Sequence, residues 1–290
     1  MPSREGKSRA ALAAKRDTDT FQRILPPVVP DWDDAEIDEG ASTFLLADQQ
    51  GPEPVPAWVI TEDAARQIDL GVLKSGKEAD VHLVERRLGS TVNVLAAKQY
   101  RGFEDRLFRN DARYRTARRT GKSRIDRAMA KGSTAGMAFR ARQWVTTEFE
   151  ALGRLWSAGM AVPYPVQLMG NEIMLELIGS PDRVAPRLAQ SDVSTAQARQ
   201  LWEQIVDNLR LMVRTGVVHG DLSAYNVLLD GERAVFIDFP QAVDPIAHPE
   251  GMSLLERDVL NLTIWFHKRG IRSDASELVA ELIGEALRCP

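Results

Sequence analysis

The chain has 290 residues, of which 44% are hydrophobic and 27% charged, with a formal net charge of −4. That length allows one or two domains with a real core, and the near-neutral balance excludes a protein that is basic throughout. A single cysteine, Cys289, excludes a disulfide framework and a cysteine-rich zinc site and fits a reducing compartment.

Residues 1–56 read as a disordered tail. The segment starts basic, turns acidic at Asp31–Glu36, and has prolines at 26, 27, 30, 52, 54 and 56. Its sparse apolar positions bury too little surface to offset the chain entropy lost on ordering. Phe21, Ile24, Leu25, Phe44 and Leu45 are the groups able to dock. The apolar run Ala10–Ala14 is too short for a signal-peptide core. The longest uncharged stretch, Leu155–Asn171, is broken by Pro163 and Pro165 and is no membrane span. A cytoplasmic protein without a membrane anchor is expected.

From Trp58 the texture changes. Residues 71–85 and 92–100 read as strands joined at Gly89-Ser90. Within the first, Leu73–Val81 is a tight polar turn. Its single glycine makes it neither a dinucleotide fingerprint nor a Walker A loop, but Ser75, Gly76 and Lys77 suit phosphate contacts. Lys98 lies on the strand face of Val94 and Ala96. Residues 101–142 hold 13 Lys and Arg against 4 Asp and Glu, a net +9 and few aliphatics. Such a loop is either a solvated excursion or an electrostatic contact for RNA or an acidic partner.

Residues 141–158 read as a helix, because Val145, Phe149, Leu152 and Trp156 recur at three and four residues. Glu148 falls on the face of Trp144 and Leu152, where it would meet Lys98, with Glu150 and Glu172 as alternative partners. Ile173–Ile178 is a further strand and 176–180 a connector between lobes. Ser194 to Gln197 fits a capping box, followed by a helix burying Leu201, Ile205, Leu209 and Met212. Asp230-Gly231 turns a hairpin between Val227–Leu229 and Ala234–Ile237, and helices over 253–268 and 274–288 close the chain. The fold class is α+β, a bilobal, protein-kinase-like arrangement: N-lobe 57–178 including the basic loop, and C-lobe 179–290.

The chemistry concentrates at His219-Gly220-Asp221 to Asn226 and at Ala234–Phe239. A carboxylate beside an acceptor hydroxyl takes its proton during phosphoryl transfer, which is the role open to Asp221. Asn226 and Asp238 offer the oxygens that hard cations prefer. Taken singly these are ordinary turn residues; together they describe a magnesium-dependent phosphoryl-transfer site.

The combination resembles the RIO atypical serine protein kinases. It rests on Ser75-Gly76-Lys77-Glu78-Ala79-Asp80-Val81, on His219–Asn226, on Ile237-Asp238-Phe239-Pro240-Gln241, and on His248-Pro249 and Arg257-Asp258. The resemblance implies ATP with Mg2+ (or Mn2+) as cofactors. Asp221 would be the catalytic aspartate, Asn226 and Asp238 the metal ligands, and Asp238 the residue phosphorylated in an ATPase cycle. Lys98 with Glu148 would hold phosphates, and Glu176 to Ile178 would form the hinge facing adenine. It implies transfer to protein serine or to the chain itself, and a link to ribosome maturation through segment 101–142. Ala224 stands where the family usually has an acidic residue, and no Ala-Pro-Glu motif follows Asp238. Two other readings use the same loop: a small-molecule phosphotransferase acting on sugars or aminoglycosides, and an ATP-gated ribosome-binding module.

Overall fold

The computed structural model describes residues 39–101 and 134–288. Its β-rich lobe is one antiparallel sheet of seven strands in the order β1-β3-β4-β5-β7-β6-β2. The strands are β1 (Glu39–Ala41), β2 (Gln49–Gln50), β3 (Arg66–Ser75), β4 (Ala79–Leu88), β5 (Thr91–Tyr100), β6 (Pro165–Met169) and β7 (Glu172–Glu176). The run 71–85 is therefore not one strand. It holds the end of β3, the turn Gly76–Glu78 and most of β4, because the polar Ser-Gly-Lys-Glu stretch reverses the chain.

Side chains of β5 alternate between two faces. Leu95 and Ala97 pack into a small cluster with Phe44, Val59, Val84, Tyr164, Val166 and Met174. Ala96 and Tyr100 face the main core, which runs on into the helical lobe, and Lys98 shares their face. Helix α1 (Thr134–Ser157) lies on that face and buries Val145, Phe149, Leu152 and Leu155. It starts seven residues earlier than its apolar period indicates (141 − 134), within the basic stretch.

Residues 39–56 were expected in the tail, yet they belong to the lobe. β1 pairs with β3 and β2 pairs with β6. Phe44, on a 3-10 turn, is 5% exposed. Gly51 fits only without a side chain, since a Cβ there would come within 2.0 Å of the Pro165 carbonyl. Arg86 helps hold this extension. Fully buried, it donates to the Ile60 carbonyl and to the side-chain oxygens of Gln67 and Gln167 at 3.2, 2.9 and 2.7 Å. Desolvation lowers its pKa to about 10, so it remains a cation at neutral pH. Proline density hid this docking, although a few apolar anchors sufficed for it. Phe44→Ala should destabilise the protein by about 3–5 kcal/mol, the usual cost of emptying a buried phenylalanine site. Urea unfolding would show it as a lower midpoint. Residues 1–38 lie outside the described set.

After β7 the chain enters the helical lobe through the hairpin β8 (Gly179–Ser180) and β9 (Arg183–Val184). Helix α2 (Thr195–Arg214) has its capping box, Ser194 and Gln197 each bonding the other's backbone N–H. Its buried residues include Leu201, Ile205, Leu209 and Met212. The hairpin β10 (Val227–Asp230) and β11 (Arg233–Phe236) follows. Helices α3 (Gly251–His267) and α4 (Ala275–Ala286) pack against each other, and α4 also packs on α2. Among the described residues, no helix is long and apolar enough to cross a membrane.

Candidate active site

The site forms where β5, α1 and the segment after β11 meet. Lys98 Nζ lies 2.8 Å from both oxygens of Glu148 and 2.6 Å from Asp238 Oδ1. Glu148, 1% exposed, has every oxygen occupied. Oε1 also accepts from the Phe239 N–H at 3.1 Å, and Oε2 accepts from the Tyr100 hydroxyl. Desolvation pulls the Lys98 pKa down, but the two carboxylates more than offset it and hold the ammonium above the ordinary lysine range. Burial alone would raise Asp238, yet Lys98, with help from Arg187, holds it below the usual carboxylate range. Lysine and aspartate are thus a charged pair that joins the two lobes.

Asp238 has φ 74°, the one non-glycine residue at positive φ among those described. Such a conformation costs of order 1–3 kcal/mol and persists only where the surroundings impose it. Here they do: Lys98 grips the carboxylate, Phe239 N–H is bound by Glu148, and the Ile237 N–H donates to the Asn226 carbonyl at 3.0 Å.

The loop His219–Asn226 is held on every side. His219, fully buried, packs its ring 4.4 Å from that of Phe239 and places Nε2 3.0 Å from the Ile237 carbonyl. Burial pushes its pKa down to about 4, so the imidazole is neutral and acts as a structural tie. Gly220 has φ 80°, and a Cβ would come within 2.5 Å of the Gln241 carbonyl, so no other residue fits there. Asn226 donates from Nδ2 to the Asp221 carbonyl at 2.9 Å and is 7% exposed. Ala224 is buried in the main core, where the acidic side chain usual in the family would be desolvated.

Asp258 on α3, which entered the resemblance only as half of Arg257-Asp258 and with no role, proves central to this loop. Its fully buried carboxylate accepts the N–H groups of Gly220 and Leu222, both at 2.8 Å. The neighbouring Arg257 donates to the Gly220 carbonyl. Desolvation raises the Asp258 pKa to about 7, with the two N–H bonds and Arg257 pulling the other way. The signs follow from linkage. Between about pH 4 and 7 the folded chain keeps a proton on Asp258 that the unfolded chain has released, so this stabilising contribution falls as pH rises. His219 acts oppositely: its contribution is present above 6.5 and is lost as pH falls through about 4. Asp258→Asn should therefore leave a stability that climbs more steeply with pH between 4 and 6.5 than the wild type. Denaturation midpoints across that range would check it.

The Asp221 side chain is exposed and accepts no hydrogen bond from the described residues. Desolvation raises its pKa, Arg257 opposes this, and the charge of Asp238 adds to it. Among the described residues Asp238 Oδ2 likewise has no donor, and the Asn226 amide oxygen has only an Arg187 guanidinium nitrogen at 3.4 Å. These oxygens suit a hard divalent cation, and the buried Lys98 suits a phosphate. No group of three or more His, Cys, Asp or Glu able to hold a metal occurs among the described residues. A cation here would complete its shell with phosphate oxygens and water, as magnesium does in nucleotide sites.

The other predicted residues do not touch this cluster directly. Ser75 donates to Asp80, whose two oxygens also take Arg101 at 2.9 and 2.6 Å. The Arg101 and Ser75 bonds hold the exposed Asp80 at a pKa of about 2. Gly76 and Lys77 form the β3–β4 turn, with the Gly76 N–H on the Ala79 carbonyl. Lys74, missed in the sequence, lies in the field of the site: burial and then Arg187 lower its pKa, against Asp238. Glu176 ends β7 and accepts the Tyr164 N–H at 3.0 Å. Ile178 is buried with Ala185 and Val235, its carbonyl bonded by the Ala185 N–H. Cys289 and residues 102–133 lie outside the described set.

The RIO domain profile matches residues 90–278. The RIO-type serine/threonine-protein kinase Rio1 of Haloferax volcanii is 33% identical over 215 residues, covering 74% of this chain and 69% of that protein. Human serine/threonine-protein kinase RIO1 is 28% identical over 202 residues, covering 69% of this chain and 34% of the human protein. The crystal structure of the Rio2 kinase from Chaetomium thermophilum superposes with a TM-score of 0.52 at 21% identity, covering 73% of this chain and 63% of that one, which establishes a shared kinase-like fold. This chain belongs to the RIO family of serine/threonine-protein kinases.

Proposed function

We propose that this kinase transfers the terminal phosphoryl group of ATP, with Mg2+, to a serine hydroxyl of a protein substrate or of its own chain. The observation that carries the reading is Lys98, held between Glu148 and Asp238 at the junction of the lobes. Bound Mg2+ would neutralise the charge of the phosphates. Asp238 and the Asn226 amide oxygen would hold it, and Mn2+ fits the same oxygens. Lys98 would orient the phosphates, fixed in place by Glu148. Asp221 would take the proton of the incoming hydroxyl, a task its raised pKa favours. Ser75, Gly76 and Lys77 would border the phosphates, and Glu176 and Ile178 the adenine. Positioning and charge supply most of the rate, since the transferred group needs little covalent help.

Phosphosite mapping after incubation with Mg-ATP tests this. Phosphoserine supports protein or self phosphorylation. Phosphate on Asp238 alone marks an ATPase cycle. No label, with transfer to a small alcohol instead, would favour the small-molecule alternative. The net +9 of residues 101–142 supports a contact with RNA or a ribosomal particle. Co-sedimentation with ribosomal subunits that disappears at high salt would support that partner, and salt-insensitive or absent binding would remove it.

A further inference from the structure

Arg187 enters the site from the helical lobe, opposite Lys98 and Lys74. Its backbone is pinned: it bridges Leu228, Pro186 beside it accepts the Leu229 N–H at 2.8 Å, and its own carbonyl accepts the Ser191 hydroxyl at 2.8 Å. The half-buried guanidinium lies over the catalytic loop. Nη1 donates to the Tyr225 carbonyl and also lies 3.4 Å from the Asn226 amide oxygen. Both are neutral acceptors. No carboxylate of the described residues forms an ion pair with it, whereas Lys98 and Arg210 each have two and Arg101 and Arg214 one apiece. Its desolvation is the largest influence on it, and Asp238 is the acid that acts most on it.

A guanidinium withdrawn from water and left on neutral oxygens bears a burial cost that an anion would offset. Its planar fork of donors matches phosphate oxygens. The long contact to Asn226 is a weak hold, and it occupies the very oxygen that suits a cation. A brace for the loop needs only the Tyr225 carbonyl bond. It does not explain why the same Nη1 also stands beside the Asn226 amide oxygen, or why Nη2 and Nε, the rest of the fork, meet no acceptor among the described residues while the charge of Asp238 is felt there.

We propose that Arg187 binds the terminal phosphate of ATP, closing from the helical lobe a grip that Lys98 makes from the sheet, so that the site distinguishes ATP from ADP. The inference rests on the ATP reading above. On nucleotide binding the guanidinium leaves the Asn226 oxygen to the cation and takes phosphate oxygens in its place.

Calorimetric titration of the full chain with Mg-ATP, Mg-ADP and adenosine separates the possibilities. In Arg187→Ala, ATP affinity should fall by about 10- to 100-fold, in keeping with loss of a charge-assisted fork. ADP and adenosine should stay within about twofold, and Arg187→Lys should recover part of the loss. Unchanged ATP affinity in Arg187→Ala would overturn the inference while leaving the kinase reading intact. An equal loss of all three ligands would also overturn it, making Arg187 a brace. Wild-type protein that bound no nucleotide would overturn the ATP reading, and this inference with it.

Discussion

Asp221→Asn is expected to lower phosphoryl transfer by about 10²- to 10⁴-fold, the range supplied by a positioned general base. ATP affinity should change little, because the Asp221 carboxylate bonds none of the residues that would hold phosphate. The loop should also survive the change. Its architecture comes from the Asp221 backbone carbonyl, which accepts from Asn226, and from Asp258 beneath it, and neither needs the carboxylate. Single-turnover transfer and calorimetric ATP binding, measured on the same preparation, would show the split. Full transfer by the variant would remove Asp221 from the chemistry. The pH profile gives a second view. Desolvation and the charge of Asp238 raise the Asp221 pKa, so the acid limb of the rate should lie above the ordinary carboxylate range. It should be absent from the residual activity of the variant.

Asp238→Asn is expected to be as damaging for a different reason. The substitution keeps the shape and removes the charge that holds Lys98 from one side and would hold the cation from the other. Transfer should fall at least as far as in Asp221→Asn. ATP affinity in magnesium should drop to the level the wild type shows with a chelator present. Lys98 keeps Glu148 as its partner, so the buried ammonium stays paired and the protein should remain folded. A variant that still bound ATP more tightly with magnesium than without it would place the metal site elsewhere.

Much of this candidate site was readable along the chain because the groups that the fold brings together lie in short local runs. His219–Asn226 and Ile237–Gln241 each carry their residues within a few positions, so spacing alone signals them. Alternation along β5 put Lys98 on the core-facing side, and the 3.6-residue period of α1 put Glu148 inward. The capping box at Ser194 and the turn at Asp230-Gly231 are likewise local, and both appear in the fold. What stayed hidden is assembled from distant pieces. Asp258 meets Gly220 and Leu222 across 38 and 36 residues, and Tyr100 reaches Glu148 across 48. Arg187 and Lys74 look like surface cations until the lobes bring them to Asp238. The boundary at residue 56 failed for a similar reason. Prolines and acids dominate residues 39–56, but Phe44 and two short strands, with a buried Arg86 bridging Ile60, Gln67 and Gln167, join that stretch to the sheet.

A crystal structure with magnesium and a non-hydrolysable ATP analogue would test the central claim most directly. It should show a cation bound by Asp238 and Asn226, phosphate oxygens within hydrogen-bond distance of Lys98, and the Asp221 carboxylate facing the terminal phosphate. A nucleotide seated away from these groups, or a cation that left Asp238 bound to Lys98 alone, would contradict it.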